Sequence, residues 1–483
     1  MQYPHLSRDV LVEKLYEAII RTNFVLLSSP SGSGKTSLLT LFARKHPEIS
    51  CAPIAFDNST QDATTLLSTY GVNVCKKACD IPRGKLCVLM LDDCQRRYND
   101  LGFWTCLIKG STSWLPDHVR FIISATHFLE TDAPASPVAF SSIQYKLTRD
   151  DFLVNDDEAY QCLNFENGLP PQLRFPTLVK VMIRECNGHI GSLRISIDAI
   201  YEHFRRVGAR TEEELLAFYL SGTFVELMGR CFGSEHTTPA TSNQQKFLST
   251  CLFCDPRCQP LAQQLSRDEH ECFTRLKKAG IVTEVGGYVW FSSPLAGRYY
   301  YKWLFPGRGY ENPTSLHELI RKVIGSMSAS ALDRSVVRND DFPNEAVFQH
   351  QFMSTLAQHT TSTCYICPEL SRVFPTPPGQ PSTRIDGKID FYLNGSLRWG
   401  IELLVNGDKI GEHMSRFAAG GKYAALGAKE YVIIDFRGNK RGISTNVARK
   451  AERVTVFFKL GDFSTCRCIF GVAKDEELIS LNQ

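Results

Sequence analysis

Gly34-Lys35-Thr36 closes the stretch Ser29-Pro-Ser-Gly-Ser-Gly-Lys-Thr-Ser37, whose composition suits the cradling of phosphate oxygens. Backbone N–H groups beside glycines can curl around an anion, a lysine can reach the outer phosphates, and the hydroxyl after it can ligate magnesium. Ser31, Gly32, Ser33, Gly34, Lys35, Thr36 and Ser37 are therefore read as nucleotide-binding, with Thr36 also on the metal. Ser29 stands where such loops usually open with glycine, but Gly32 and Gly34 still permit a tight turn. Asp92 and Asp93 follow the apolar run Leu86–Leu91, the place for a carboxylate that holds magnesium through water. Asp92 is assigned that role. Asp93 would orient the attacking water, with a shorter reach than the glutamate often found there. ATP is preferred to GTP because no Asn-Lys-x-Asp guanine reader is present; Asn439-Lys440-Arg441 is incomplete and out of place.

A second set of acids lies far along the chain. Two β-prone runs flank Asn394-Gly395, a strong hairpin signal, with Asp390 before it and Glu402 after it. A two-residue loop would put these carboxylates on opposite faces; the three-residue loop Asn394-Gly395-Ser396, ending in a bulge, would put them on one side, able to share a divalent cation. Glu345, on an amphipathic helix upstream, is a candidate third acid. Metal held there would polarise a phosphodiester and activate water. A lysine two residues after the glutamate would complete such a centre, but Leu404 occupies that position. Lys422 or His413 is the favoured substitute cation, with Lys388 and Arg416 also in reach; solvated strand carboxylates without chemistry remain the plainer alternative.

These residues need elements to hold them. Asn23–Ser29 reads as a strand and Thr36–Lys45 as a helix, the strand–loop–helix order a phosphate loop requires. Val119–Thr126 is another apolar strand, with Ser124 and Thr126 near the edge where open α/β sheets bind ligands, as phosphate sensors or as plain turn residues. Helices on either side of Cys186–Arg194 suggest a lid, with Arg194 on phosphate or in a surface salt bridge. From Arg210 onward the chain reads as helices and then a strand pair around Gly286-Gly287, a winged-helix shape. Its helix Phe273–Lys278 suits a structural arm better than a DNA-reading element. After Asn344, a helix, the hairpin, a helix over Gly411–Leu426 and a strand over Tyr431–Phe436 follow the order of a restriction-endonuclease-like core, the PD-(D/E)xK nucleases.

The fold class expected is thus α/β: a P-loop NTPase with helical lid over 1–206, a winged-helix-like arm over 207–312, and an α/β restriction-endonuclease-like domain over 313–483. At 483 residues the chain is long enough for several cores, and 43% hydrophobic with 22% charged residues excludes a disordered chain. A net charge of +3 does not by itself imply a polyanion partner. No apolar run is long enough to span a bilayer, and Met1–Val10 lacks the layout of a secretory signal, so no membrane role is expected. The 17 cysteines lack a framework and fit buried thiols in a reducing compartment, cytosol or nucleus. Cys251-x-x-Cys254-x-x-x-Cys258 has no matching second pair and is read as thiols, not zinc ligands.

Taken together, the chain resembles the Crinkler effectors of oomycetes and fungi and the related retrotransposon hot spot proteins. The likeness rests on Ser31–Ser37, Leu91-Asp-Asp-Cys-Gln95 with Tyr98 and Phe103-Trp104, Trp399-Gly-Ile-Glu-Leu-Leu404, Gly411-Glu-His-Met-Ser-Arg-Phe417 and Gly421-Lys-Tyr423. It implies an ATPase joined to a magnesium-dependent nuclease, a secreted effector or selfish-element protein acting in a host nucleus by damaging or binding DNA, in preference to RNA, with host nuclear proteins and a second copy of the chain as candidate partners. Such effectors usually begin with a small ubiquitin-like delivery module carrying Leu-x-Leu-Phe-Leu-Ala-Lys; here the ATPase is expected to start almost at Leu6-Ser-Arg-Asp9, leaving an intracellular relative or a missing leader as alternatives. A non-catalytic ATP-dependent switch binding DNA or host proteins is the other functional expectation.

Overall fold

The structure, a computed structural model, describes residues 6–56, 61–127, 143–165, 168–205, 210–233, 241–252, 260–305, 309, 311–336, 342–361, 364–368, 389–407, 410–438, 450–473 and 476–483. Lys388, Cys254, Cys258 and Asn439-Lys440-Arg441 lie outside them. The chain packs as two compact units. The first takes Met1–Asn167, Gly188–Arg194 and Arg275–Ile281; the second takes Gly168–Asn187, Ile195–Thr274 and Val282–Gln483.

In the first unit, α1 (Asp9–Arg21), β1 (Phe24–Ser28), α2 (Lys35–Lys45), β2 (Ser50–Ala55), β3 (Cys87–Asp92), β4 (Val119–Ala125) and β5 (Tyr145–Thr148) build a parallel sheet in the order β2-β3-β4-β1-β5. Its strands are apolar on both faces. Val25, Leu27, Val88, Met90 and Ile122 pack with Leu15 and Ile19 of α1 and with Leu38 and Phe42 of α2. Leu26, Leu89, Leu91, Phe121 and Ile123 face the other way, onto Phe103 and Trp104. Near-continuous apolar runs are what a doubly covered parallel sheet demands, which is why β3 and β4 were legible. The order has one consequence for chemistry: β4 separates the phosphate-loop strand from the acid strand, so Ser124, near its end, lies between them. The first turn of α3 (Ile190–Phe204) also belongs to this unit.

The second unit gathers helices such as Pro176–Cys186, Glu212–Tyr219 and Ser242–Cys251, then the hairpin Val282–Val285 with Tyr288–Phe291. Gly286 and Gly287 both have positive φ, +61° and +84°, the requirement of a two-residue hairpin turn. Beyond it come α4 (Glu345–Gln358), β6 (Ile366–Pro368), β7 (Phe391–Leu393), β8 (Trp399–Val405), α5 (Ile410–Phe417), β9 (Glu430–Gly438), β10 (Arg453–Lys459), β11 (Asp462–Phe470) and β12 (Glu477–Ser480). The strands lie in chain order in one sheet, antiparallel except for the parallel β8-β9-β10 centre. α4 covers one face, with Phe348 stacked on Phe436 at 4.2 Å, and α5 the other, with Phe417 stacked on Tyr431 at 4.3 Å. A β-carbon at Gly400 would run into the Phe417 ring, so that glycine admits the helix.

Two expectations here are corrected. The β7–β8 loop is five residues, Asn394–Arg398, not three. Asn394 spends its side chain on the Ala217 carbonyl at 2.7 Å, Leu397 is buried, and Arg398 pairs with Glu213 from a left-handed backbone at φ 51°. Tertiary anchoring thus overrides the local Asn-Gly turn signal. The helix expected over Gly411–Leu426 ends at Phe417; Gly420, with φ +75°, and Gly421 turn the chain before a short 3-10 segment at Ala424–Leu426.

Candidate functional site

The phosphate loop leaves β1 and enters α2 with Gly32 at φ +74° and Gly34 at φ +91°, the two positions where glycine was expected to be needed. Ser29 has no positive φ, so a serine there carries no backbone strain. Lys35 is buried and folds back, donating from Nζ to the Ser29 carbonyl at 2.6 Å and the Pro30 carbonyl at 3.0 Å. Burial pushes its ammonium down to about 8, with Asp92 and Asp93 opposing. The Thr36 hydroxyl donates to Asp92 Oδ2 at 2.6 Å, and the Ser124 hydroxyl to Asp92 Oδ1 at 2.6 Å. One carboxylate thereby ties together the loop, the acid strand and the strand between them. Magnesium held jointly by one carboxylate, a hydroxyl and substrate phosphates is the usual solution for this ion, and the hard oxygen set of Thr36 and Asp92 fits it.

Asp93 adopts a left-handed backbone, φ 56°, and its Oδ1 accepts from Gln95 Nε2 at 3.0 Å; Gln95 Oε1 in turn accepts from the Thr126 amide at 3.1 Å. Of the two strand-end hydroxyls, Ser124 joins the acid, while Thr126 Oγ1 pairs with His127 Nδ1 at 2.9 Å. The loop is gripped by residues of the Cys186–Arg194 stretch expected to form a lid, in which only Arg194 is assigned a contact. His189 reaches the Ser31 carbonyl with Nε2 at 3.1 Å, and a β-carbon at Gly191 would lie 2.5 Å from the Gly32 carbonyl oxygen. Burial, with Arg149 and Lys35 adding to it, pushes His189 down to about 4, so it is neutral near pH 7. Asn187 and Gly188, both with positive φ, break the course of the chain just before His189. Arg194 lies near Cys162, whose thiol burial pushes up to about 11 while Arg194 and Arg8 pull it down.

In the second unit the β7–β8 register pairs Phe391 with Ile401, so Asp390 stands across from Glu402. Both are buried, and both charges act on the Tyr423 phenol, whose pKa burial pushes up. Asp390 Oδ1 accepts from Gln349, which also donates to Glu345 Oε1 at 3.2 Å, and Asp390 Oδ2 accepts from the Leu403 amide at 2.6 Å. Glu402 Oε2 pairs with His413 Nδ1 at 2.6 Å, and Arg416 stands 3.6 Å from Oε1. Burial raises the Glu402 pKa, and His413 and Arg416 oppose that rise. Lys422 places its ammonium 5.8 Å from the Tyr423 ring centre. Glu345, Asp390, Glu402 and His413 are therefore brought into one neighbourhood. As arranged, however, Glu402 is already engaged: its Oε2 pairs with His413 and Arg416 stands 3.6 Å from Oε1, so an ion there would have to displace these side chains. Among the described residues, no group of three or more His, Cys, Asp or Glu is placed to hold one.

No family model and no curated protein matches the chain. Solved structures do resemble it. The Walker-type ATPase PABY2304 of Pyrococcus abyssi is similar over 60% of this chain and 95% of its own, at 13% identity and a TM-score of 0.37. The Orc1 protein of Aeropyrum pernix, solved in complex with DNA, is similar over 61% and 91%, at 16% identity and a TM-score of 0.31. A RuvB variant of Thermotoga maritima is similar over 59% and 90%, at 13% identity and a TM-score of 0.32. Likeness at that level carries nothing about activity, which is read below from the chain's own geometry. Among the described residues, no helix is long and apolar enough to cross a membrane.

Proposed function

We propose that the chain binds and hydrolyses ATP with magnesium at the first unit and uses the nucleotide to control a second unit that acts on DNA. The observation that carries this reading is the Asp92 carboxylate, bonded at 2.6 Å to both Thr36 and Ser124. Lys35 would leave the loop carbonyls for the β and γ phosphates, whose negative charge would raise its pKa again. Thr36 and Asp92 would hold the magnesium, which supplies charge neutralisation at the phosphates. Asp93, fixed by Gln95, would orient water for attack. The experiment is titration of the purified chain with ATP and magnesium, with phosphate release measured alongside; absence of both binding and release would end the proposal.

Two readings of the second unit stand against each other. In the Crinkler-type reading, it is a magnesium-dependent DNA endonuclease acting in a host nucleus, and the chain works with copies of itself. Favouring this is the placement of Asp390 across from Glu402 within an α–β–β–β–α–β order. In the other, it binds DNA or a host protein without cutting. Favouring that is the pairing of Glu402 with His413 and Arg416, together with Leu404. Plasmid nicking with magnesium, by wild type and by Asp390→Asn with Glu402→Gln, separates them. Nicking by wild type alone establishes the nuclease; equal nicking by both, or none, leaves the binding protein.

A further inference from the structure

The contact between His189 and the phosphate loop fixes more than a distance. His189 Nδ1 accepts a hydrogen bond from the Ser192 backbone N–H at 3.1 Å, so in the neutral ring the proton sits on Nε2. That Nε2–H donates to the Ser31 carbonyl at 3.1 Å. The carbonyl and the N–H of a trans peptide point in opposite directions. Turning the Ser31 carbonyl to His189 therefore turns the Gly32 N–H the other way, away from the imidazole. The next peptide is bounded as well, because the Gly32 carbonyl faces Gly191, where a β-carbon would lie 2.5 Å away. Ser192 Oγ closes the same turn on the His189 carbonyl at 2.9 Å, holding the imidazole in place. A loop with glycines at two positions is otherwise free to rotate these peptides.

We propose that His189 is a positioning residue for phosphate: it presets the Ser31–Gly32 peptide so that the Gly32 amide donates to a phosphate group of a nucleoside di- or triphosphate. The inference rests on the proposed nucleotide reading of the loop. It asks the imidazole for a single donated hydrogen bond and no contact with the ligand. Losing a hydrogen bond that organises an anion site weakens binding by about tenfold.

The test compares His189→Phe, which keeps a ring of similar size without a donor, and His189→Gln, whose amide N–H can restore the bond. Each full-length protein is titrated with ADP and with inorganic tripolyphosphate, and its melting temperature is measured without ligand. His189→Phe should bind both ligands about tenfold more weakly, and His189→Gln should return to within about threefold of wild type. A merely structural role would lower the melting temperature of both variants and leave no rescue. Wild-type-like affinity in His189→Phe, or a loss confined to ADP, overturns the inference while the nucleotide reading stands. Failure of the wild type to bind either ligand removes both together.

Discussion

Asp92 ends its strand among hydroxyls, whereas Glu402 sits within its strand beside an imidazole and a guanidinium. Thr36 and Ser124 give the half-buried Asp92 two neutral donors, and its charge acts on the Lys35 ammonium. His413 pairs with Glu402 Oε2 and Arg416 stands 3.6 Å from Oε1, in a carboxylate that is fully buried. A buried carboxylate without a counter-charge is expensive, so the company an acid keeps shows whether its site awaits a cation or has been closed without one. By that criterion the proposed metal-nucleotide site is the one in the first unit. The second holds a charge-compensated cluster that must be rearranged before it can take an ion.

The comparison can be broken most easily at Lys35. Lys35→Ala should weaken ATP binding by roughly a thousandfold, since a charge-assisted phosphate contact is lost in a buried setting, while circular dichroism stays native. Undiminished affinity would mean that the loop is not the site. Next comes Arg416→Met, which leaves Glu402 with less compensation and should cost about 3 kcal/mol of unfolding free energy, against about 1 kcal/mol for Ser124→Ala beside Asp92. Urea unfolding reads both; equal costs would erase the distinction between the two acids.

A smaller effect tests the electrostatics of the loop. Lys35 sits below its ordinary 10.5, at about 8. Its charge is present below that pH and lost as pH rises through it, and phosphate needs the charge. ATP affinity should therefore fall by about tenfold between pH 7 and pH 9, and Lys35→Arg should flatten the profile. A flat wild-type profile would show that the lysine is not desolvated before ligand arrives.

What could be read in advance follows from how local each signal is. Gly32, Gly34, Lys35 and Thr36 act within one loop, and Asp92 ends one apolar strand, so each was legible from its neighbours in sequence. The choice of Ser124 over Thr126 needed the strand order, which no local pattern contains. His189 lies 158 residues beyond the Ser31 it grips, and the small residues around it suggested a lid without saying which side chain would touch the loop. In the hairpin, Asn394-Gly395 gave the right element and the wrong loop. The decisive facts were the burial of Leu397 and a bond from Asn394 to Ala217, 177 residues away. Glu402 and His413 were legible as residue types, but that they pair with each other could be seen only once α5 was laid across β8.

The central claim is that Asp92 is an acid awaiting magnesium. It is tested most directly by measuring ATP affinity with magnesium and with chelator, in wild type and in Asp92→Asn. The account predicts that magnesium tightens wild-type binding by about tenfold or more and that the variant, still able to use Lys35, gains little from the ion. An equal gain from magnesium in both proteins would contradict it.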